Sequence, residues 1–334
     1  MKQLFVAWIA FHRRPVSMQS HFGYELKFSQ FAFSKRYLRP LEYLVKGWTT
    51  LVLLLHKKPE AIWLQLAPTP LLYVAYLYKI LFNRHVIIIA DCHNVLFRAP
   101  WINLPGAVDL LNRCDLVILH NDCVKQQATA AGVIGKCLYV LEDRPAMLDC
   151  GIIEDRSAFP HPWVLFPCSF HADEPIEVVL AAARLVPDIT FVLTGDTIRA
   201  KGIHNLTNIP PNVKLPGFLP TVEFDMLLCT TDAVLGLTTL EDVQVCTANE
   251  AVGSAKPLIL SETKLLKKLF YKGAVYVKSD NPQSIAQGCQ EAISRKAELI
   301  EQIVDLKVER NQRWLKQAEQ VDALLYHRGA DTSL

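Results

Sequence analysis

The sequence lacks the motifs that mark several large classes of nucleotide-binding and hydrolytic enzymes. It has 14 glycines among 334 residues, and none of them forms the GxGxxG of dinucleotide-binding folds or the GxxxxGK[ST] of phosphate-binding loops. HExxH, GxSxG and the protein-kinase signatures are also missing. These absences exclude the enzyme classes that these motifs define.

Cysteine pairs with metal-binding spacing are missing as well. The nine cysteines are odd in number and scattered, and they form no CxxC or Cys/His spacing. This pattern predicts buried, reduced thiols in a cytosolic protein. We expect no metal site and no cofactor.

No apolar run is long enough to cross a bilayer. The longest runs, WTTLVLLL and LLYVAYLYKILF, fall well short of the ~20 residues that a membrane span needs. The N-terminal MKQLFVAWIAFHRR has a short apolar run followed by its arginines, and it shows no small-residue cleavage site. It therefore predicts a buried first strand, and we expect a cytoplasmic protein.

Charge is divided unevenly along the chain. Residues 1–150 hold 17 Lys and Arg against 10 Asp and Glu, a net +7, whereas residues 151–334 hold 18 against 23, a net −5. Four of the six tryptophans, at positions 8, 48, 63 and 101, lie in the first third. Basic and aromatic side chains suit an anionic membrane surface, which favours a peripheral location on the inner face of the plasma membrane. A solvated basic face over a tryptophan-containing core explains the pattern equally well.

Periodicity predicts the fold class. The composition, 51% hydrophobic and 20% charged, excludes disorder, and the length suits two domains. Short runs rich in Val, Ile and Leu alternate with helical stretches in both halves, which indicates two α/β domains with doubly wound parallel sheets. These runs are LFVAWIAF, AIWLQL, HVIIIA, LVILH and LYVLE, then WVLFP, ITFVLTG, VKLPG, AVLGL, PLILS and AVYVK.

A polar, proline-containing stretch at residues 154–163 predicts the break between the domains. We expect an N-terminal domain over 1–155, a C-terminal domain over 160–310, and a terminal helix over 311–330 that packs back on the N-terminal domain. Ligands of open parallel sheets bind beyond the carboxyl ends of the strands. The residues that follow the strands are therefore the candidates for a site, which we expect in a cleft.

Three stretches carry a family resemblance. Residues 213–261, VKLPG through PLILS, resemble the donor half of GT-B glycosyltransferases, above all the glycosyltransferase 4-like group, in which two acids separated by seven residues precede EAMAxGxPVV. Residues 63–97, with their DCHN, are similar to the dolichol-linked chitobiose mannosyltransferases, and FPCSFHADEPIEVVLAAARL resembles the opening of that family's second domain. The resemblance implies two Rossmann-like domains that face each other across a cleft.

The resemblance also implies donor-binding residues. Glu250, at the start of a helix, would bind the donor's ribose, and Asp242, or the adjacent Glu241, would bind its sugar; capping of a helix by Asp242 and Glu250 is the simpler alternative. Gly217 and Phe218 would contact the base, although Phe218 also suits a core. The remaining donor candidates are Thr238 and Thr239 near the phosphates, and Gly195, which allows close approach or a tight turn.

Acceptor candidates follow strands of the first half. Asp91 and His93 would take the proton of the acceptor hydroxyl, with Asn94 beside them, because a tuned Asp or His can act as a base near neutral pH. Arg13 and Arg14 would bind an acceptor phosphate. A structural histidine and a solvated loop are the alternatives.

Departures from the family pattern affect the expected mechanism. Ser169 and Glu174 stand where many members of the larger group have Arg and Lys, VQV replaces a glycine-rich turn, and Ala255 replaces a helix-end glycine. The dolichol-linked branch also lacks the Arg/Lys pair and inverts. We expect transfer of a hexose from a nucleotide sugar to a lipid-linked or polysaccharide acceptor, without nucleic acid as a partner. A non-catalytic scaffold and a nucleotide-sugar 2-epimerase remain the alternatives.

Overall fold

Two units make up the chain. The computed structural model describes residues 1–33, 36–134, 138–148, 150 and 158–331. The first unit comprises residues 1–144 together with those from Arg313 onward, and the second comprises Pro145–Gln312. The predicted boundary at residue 155 lies outside the described residues and stays a prediction.

The first unit is built on a six-stranded parallel sheet with the order β2-β1-β3-β4-β5-β6. Its strands are β1 (Gln3–Ala7), β2 (Glu25–Phe28), β3 (Ala61–Leu66), β4 (Ile87–Cys92), β5 (Leu116–Leu119) and β6 (Leu138–Val140). Its helices are α1 (Arg13–Phe22), α2 (Arg39–Lys57), α3 (Pro70–Leu81), α4 (Ala107–Asn112) and α5 (Asp122–Ala130).

The central strands are buried along their whole length. All six residues of β3 and all six of β4 are buried, as expected for strands covered on both faces. The edge strand β2 is partly exposed and carries Glu25 and Lys27, so its sequence has no apolar run. The sequence reasoning therefore missed β2.

Alternate residues of these strands face two separate cores. Ile62 and Leu64 pack in one core with Leu54 of α2 and Leu72 of α3. The intervening Trp63 packs in the other core, which also contains Trp314. This alternation is the two-residue period of a strand.

The second unit has its own six-stranded parallel sheet, in the order β12-β11-β10-β7-β8-β9. Its strands are β7 (Trp163–Pro167), β8 (Thr190–Thr194), β9 (Val213–Gly217), β10 (Ala233–Gly236), β11 (Leu258–Ser261) and β12 (Ala274–Val277). The helices after β7 are α6 (Ile176–Leu185), α7 (Thr197–Ala200), α8 (Thr221–Thr230), α9 (Cys246–Gly253), α10 (Lys264–Leu269), α11 (Pro282–Ser294) and α12 (Lys296–Asp331).

Helix α12 is 36 residues long and contributes to both units. Its residues from Arg313 onward belong to the first unit, where Trp314, Ala318, Val321 and Leu325 pack on the sheet core. The terminal helix predicted over 311–330 is thus the C-terminal part of a longer helix that begins at Lys296. No described helix is long and apolar enough to cross a membrane.

Two of the nine cysteines are not reduced thiols. Cys150 and Cys229, both in the second unit, form a disulfide with their Cα atoms 5.3 Å apart. The expectation of nine reduced cysteines is therefore wrong for this pair. The two residues are 79 positions apart and only the fold brings them together, so spacing could not reveal them.

Ala255 occupies a position that favours glycine. It has φ of 55° just after α9. The Ala255 amide donates to the Val252 carbonyl and the Lys256 amide to the Ala251 carbonyl, which together form a Schellman motif. The left-handed conformation costs an alanine about 1–2 kcal/mol.

We expect Ala255→Gly to raise the free energy of unfolding by roughly 0.5–1 kcal/mol, because the greater freedom of glycine in the unfolded chain offsets part of the relieved strain. Urea denaturation measures the change. Ala297→Gly, at an exposed helical position of α12, is the control and should destabilise by a similar amount. A loss of stability in Ala255→Gly would contradict the assigned strain.

Candidate functional site

The carboxyl ends of four adjacent strands bring the donor candidates to one edge of the second sheet. Strands β10, β7, β8 and β9 are neighbours and parallel, so the residues that follow them share that edge. Backbone hydrogen bonds join their loops: the Thr239 amide donates to the Asp173 carbonyl at 2.8 Å, and the Gly195 amide to the Gly217 carbonyl at 2.9 Å. The structure thus gathers candidates that are far apart in sequence.

The two threonines differ in what their hydroxyls can do. Thr238 is 1% exposed and its hydroxyl donates to Asp173 Oδ2 at 2.8 Å, while its amide donates to Ser261 Oγ at 2.8 Å. Its side chain therefore fixes the loop after β10. Thr239 is exposed and remains a candidate for a phosphate contact.

The acid pair lies on the loop and helix after β10. Asp242 is half-buried in a turn, and Glu250 is a buried side chain, 9% exposed. Glu250 is the fifth residue of α9, not its first, because the chain stays extended up to Val245. Glu241 is exposed and accepts a hydrogen bond from the Lys264 amide at 3.2 Å, which caps α10.

The N-cap residue of α9 makes no side-chain hydrogen bond to the helix. This residue is Val245, which has no side chain able to accept hydrogen bonds from the first amides. The first amides of a helix and the positive end of its dipole attract anions. The first turn of α9 therefore suits a phosphate group.

Gly195 and Phe218 mark the other side of this edge. Gly195 has φ of 134°, and a Cβ atom there would lie 2.1 Å from the Cys168 carbonyl oxygen, so only glycine fits. Phe218 is 78% exposed, next to Gly217 with φ of 84°. The core alternative for Phe218 is wrong, because its ring faces solvent.

The carboxylate of Glu174 binds the backbone and a side chain of the loop that follows β7. Its carboxylate accepts hydrogen bonds from the amides of Ser169, at 3.0 Å, and His171, at 3.1 Å, and from the Ser169 hydroxyl at 2.8 Å. The loop after β7 is thus closed by an acid, at the position where the resemblance to the larger glycosyltransferase group would place a cation. No side chain of this loop supplies the missing positive charge, as far as the described residues show.

In the first unit, Asp91 ends up in a buried ion-pair cluster. Arg14 Nε donates to both Asp91 oxygens at 3.1 and 3.0 Å, and Nη2 donates to Oδ1 at 2.9 Å. Arg14 Nη1 donates to Asp143 Oδ1 at 2.6 Å, and Nη2 also reaches the Leu141 carbonyl. Burial by itself would raise the pKa of Asp143, but the charge and the hydrogen bond of Arg14 act against it, and the pKa lies below its ordinary value.

The assignment of Arg14 to an acceptor phosphate is corrected by this geometry. Arg14 is 3% exposed and lies in α1, so its guanidinium holds two carboxylates instead of meeting a ligand. Arg13 is half-buried and lies 5.5 Å from the Phe11 ring, and Asn94 is half-buried in a 3-10 turn after β4. These two stay candidates for the acceptor.

Three histidines lie against the same cluster. The ring of His93 is 4.8 Å from that of His12 and 4.0 Å from that of His120, centroid to centroid. Burial lowers the pKa of His93 to about 3, aided by the charge of Arg14, and burial together with His93 lowers the pKa of His12 to about 3. Burial also lowers the pKa of His120 well below its ordinary value. All three imidazoles are therefore neutral at neutral pH.

Sequence reasoning missed His12, His120 and Asp143. The last two follow strands β5 and β6, so the strand-end rule that selected Asp91 would also have found them. His12 precedes α1, and only the fold brings it to the same place. Arg14, which sequence placed on a surface, is the residue that organises the group.

Comparisons with known proteins identify the fold. No protein-family model matches the chain, and no curated protein matches it in sequence. HepE from Anabaena, solved with UDP and glucose, superposes with a TM-score of 0.68 at 16% identity, over 98% of this chain and 100% of that chain. Sucrose-phosphate synthase from Thermosynechococcus elongatus gives 0.68 at 12% identity, over 99% and 100%. MnaA from S. aureus, solved with UDP, gives 0.59 at 14%, over 97% and 98%. The chain has the GT-B fold.

Proposed function

We propose that the protein is a glycosyltransferase that moves a hexose from a nucleotide sugar to a lipid-linked or polysaccharide acceptor. The observation that carries this proposal is the loop and helix after β10, where Asp242, the first turn of α9 and Glu250 follow one another. The structures of HepE with UDP and with UDP-glucose, which share the fold over nearly the whole chain, support a uridine nucleotide as the donor. The resemblance to the dolichol-linked mannosyltransferase branch supports the lipid-linked acceptor.

Residues along the whole loop and helix after β10 would contact the donor. Glu250 would accept hydrogen bonds from the ribose hydroxyls, the first turn of α9 would face the diphosphate, and Asp242 would orient hydroxyls of the sugar. Phe218, exposed beside Gly217, would contact the base. Backbone amides and the helix dipole would stabilise the leaving diphosphate without a metal ion, so that catalysis comes mainly from positioning and electrostatics.

On the acceptor side, His93 is the proposed catalytic group. The sequence also gave Asp91 the role of base, but its carboxylate is 0% exposed and is held by Arg14, so this role is not kept. His93 is neutral and its Nε2 has no hydrogen-bond partner among the described residues, so it can accept a hydrogen bond from an acceptor hydroxyl. A pKa of about 3 makes it a weak base, and it would act mainly by orienting that hydroxyl. Asn94 and Arg13 would hold the rest of the acceptor.

Glu250→Ala tests the donor site. In a thermal-shift series with UDP, GDP, CDP and ADP, we expect UDP at a hundred times its dissociation constant to stabilise the wild type by ~2.7 kcal/mol. The variant should lose most of this response when each protein is compared with its own nucleotide-free melting temperature. Glu223→Ala, an exposed acid of α8, is the control and should keep it.

The other outcomes are equally informative. A wild type that no nucleotide stabilises would favour a non-catalytic scaffold over a transferase. A variant that responds as the wild type does would remove Glu250 from the donor site. Stabilisation by a different nucleotide would change the base and leave the transferase proposal in place.

An exposed apolar face supports the lipid-linked acceptor and a peripheral membrane location. Helix α2 exposes a stripe of apolar side chains at helical spacing, and the end of α3 exposes a second group of apolar side chains. Beside them lies a groove of about 500 Å³, lined by residues that include Trp8, Tyr43 and Tyr73. Exposed apolar patches of this kind mark binding surfaces, and the basic charge of residues 1–150 suits anionic lipid. The exposed apolar residues are Leu41, Leu44, Trp48, Val52 and Leu55 on α2, then Leu77, Ile80, Leu81 and Phe82.

We expect Leu44→Ser combined with Trp48→Ser to weaken binding to anionic phospholipid vesicles by at least about tenfold, because each buried apolar side chain contributes more than 1 kcal/mol. Vesicle sedimentation measures the partition coefficient. Ile198→Ser in the second unit is the matched control, since Ile198 is 73% exposed and Leu44 is 71% exposed. An unchanged partition coefficient for the double variant would argue against membrane contact through this face.

A further inference from the structure

We infer that His93 and His120, together with the carboxylate of Asp91, bind a divalent transition-metal ion in the first unit. The inference does not rest on the proposed transfer reaction, because ion binding is a property of the protein without substrate. It differs from the expectation of no metal site, which we drew from the scattered cysteines of the sequence.

Distances between the ligand atoms carry the inference. One ligand atom from each of Asp91, His93 and His120 lies within 4.8 Å of the other two. Ligands bound at about 2.1 Å to one tetrahedral ion are about 3.4 Å apart, so changes of up to about 1.4 Å in the distances between these atoms complete the site. The group comes from the ends of β4 and β5, which are adjacent strands.

Two of these side chains have ring nitrogens that the protein itself does not satisfy. The Nε2 atoms of His93 and His120 are buried and have no hydrogen-bond partner among the described residues. His120 is 8% exposed, so water does not easily replace a partner. A buried polar atom without a partner costs about 1–3 kcal/mol, and a metal ion bound to both nitrogens removes that cost.

Asp91 keeps a free position for an ion in spite of its bond to Arg14. Arg14 donates two hydrogen bonds to Oδ1 of Asp91 and one to Oδ2. A carboxylate offers about four lone-pair positions, so Oδ2 retains one. The same arginine fixes the orientation of the carboxylate, as groups around metal ligands commonly do.

The charge of the surroundings also favours a cation. Two carboxylates, Asp91 and Asp143, face one guanidinium, Arg14, which leaves a net −1 beside the histidines. Asp143 Oδ1 lies 3.8 Å from His120 Nδ1, on the side of the ring away from Nε2. At this distance the carboxylate does not hydrogen-bond to the ring, but its negative charge favours a cation bound to His120.

The donor set selects the class of ion. Two imidazoles and one carboxylate suit zinc and similar transition metals, whereas magnesium and calcium prefer sites made of oxygen atoms. Three protein ligands leave a position open on the ion. An acceptor hydroxyl bound there would lose its proton more readily. His93 Nε2, bound to the ion, would then act as a metal ligand and not as the base.

The test is metal binding by the full-length protein. The chain is stripped with EDTA, dialysed and titrated with ZnCl₂ by calorimetry, and a second sample is loaded with Co²⁺ for absorption spectroscopy. We expect one zinc ion per chain in the wild type. His93→Ala and His120→Ala should each lower the affinity at least about tenfold, the loss seen even for outer-shell partners of metal sites. His85→Ala, an exposed histidine of the same unit, should bind as the wild type does.

The cobalt spectrum keeps the inference testable if a histidine variant fails to fold. Nitrogen and oxygen ligands give visible bands without the near-ultraviolet charge-transfer band of a cobalt–thiolate bond. A thiolate band would place the ion on a cysteine and overturn the inference. A wild type that binds no zinc, or a folded variant of either histidine that keeps the wild-type affinity, would also overturn it.

Discussion

Arg14→Ala should lower the free energy of unfolding by about 3–5 kcal/mol, the range for removing one partner of a buried ion pair. Arg14 is 3% exposed and makes hydrogen bonds of 2.6–3.1 Å to Asp91 and Asp143. Its removal leaves two buried carboxylates facing each other without a counter-charge, which is more costly than the loss of the contacts alone. Urea denaturation followed by circular dichroism measures the effect.

Two further variants show whether the stabilisation by Arg14 depends on its charge or on the geometry of its guanidinium group. Arg13→Ala removes the neighbouring, half-buried arginine and should change stability by less than about 1 kcal/mol. Arg14→Lys keeps the charge but lacks the planar fork that reaches both oxygens of Asp91, so it should fall between the wild type and Arg14→Ala. Equal stabilities for Arg13→Ala and Arg14→Ala would show that the ion-pair cluster does not hold the first unit together.

Gly195→Ala should destabilise the protein by about 3 kcal/mol or more, through two effects that add. The backbone at φ of 134° is one that side chains other than glycine rarely adopt, and the new Cβ would lie 2.1 Å from the backbone oxygen of Cys168. A backbone atom cannot rotate away as a side chain can, so the loops after β7 and β8 must separate. Urea denaturation measures the loss, and the response to nucleotide should fall with it.

Gly217→Ala is the matched control, because it separates the two effects. Gly217 has φ of 84°, but no atom lies within 4 Å of the position its Cβ would take. Only the backbone term of about 1–2 kcal/mol remains there. If both alanine variants lose the same stability, then the close approach of Cys168 to Gly195 does not contribute.

The strand pattern and the acid spacing are the parts of this protein that its sequence determined by itself. Eleven of the twelve strands among the described residues begin and end near short apolar runs, because a parallel strand buried on both faces needs apolar residues along its whole length. The exception, β2, is an edge strand with charged residues. The order of the motifs was sufficient to indicate the GT-B fold, which the comparisons confirm.

Local sequence also located the segment proposed to bind the donor, but not the contacts of its residues. Asp242 and Glu250 do follow β10, as the spacing predicts. Their environment depends on contacts made elsewhere in the second unit: Asp173 fixes the loop through Thr238, and Glu241 caps α10. The spacing of the acids could not distinguish Glu241 from Asp242, since adjacent residues differ only in what the fold places next to them.

Only the tertiary structure decided the arrangement around Asp91. Arg14, Asp91, His120 and Asp143 come from four separate segments of the chain, and no local pattern connects them. The burial that removes water from these side chains is a property of the whole sheet and its helices, so neither their ion pairs nor their neutral histidines can be read from neighbouring residues. The Cys150–Cys229 disulfide has the same origin: two distant residues meet because the folded backbone brings their Cα atoms to 5.3 Å.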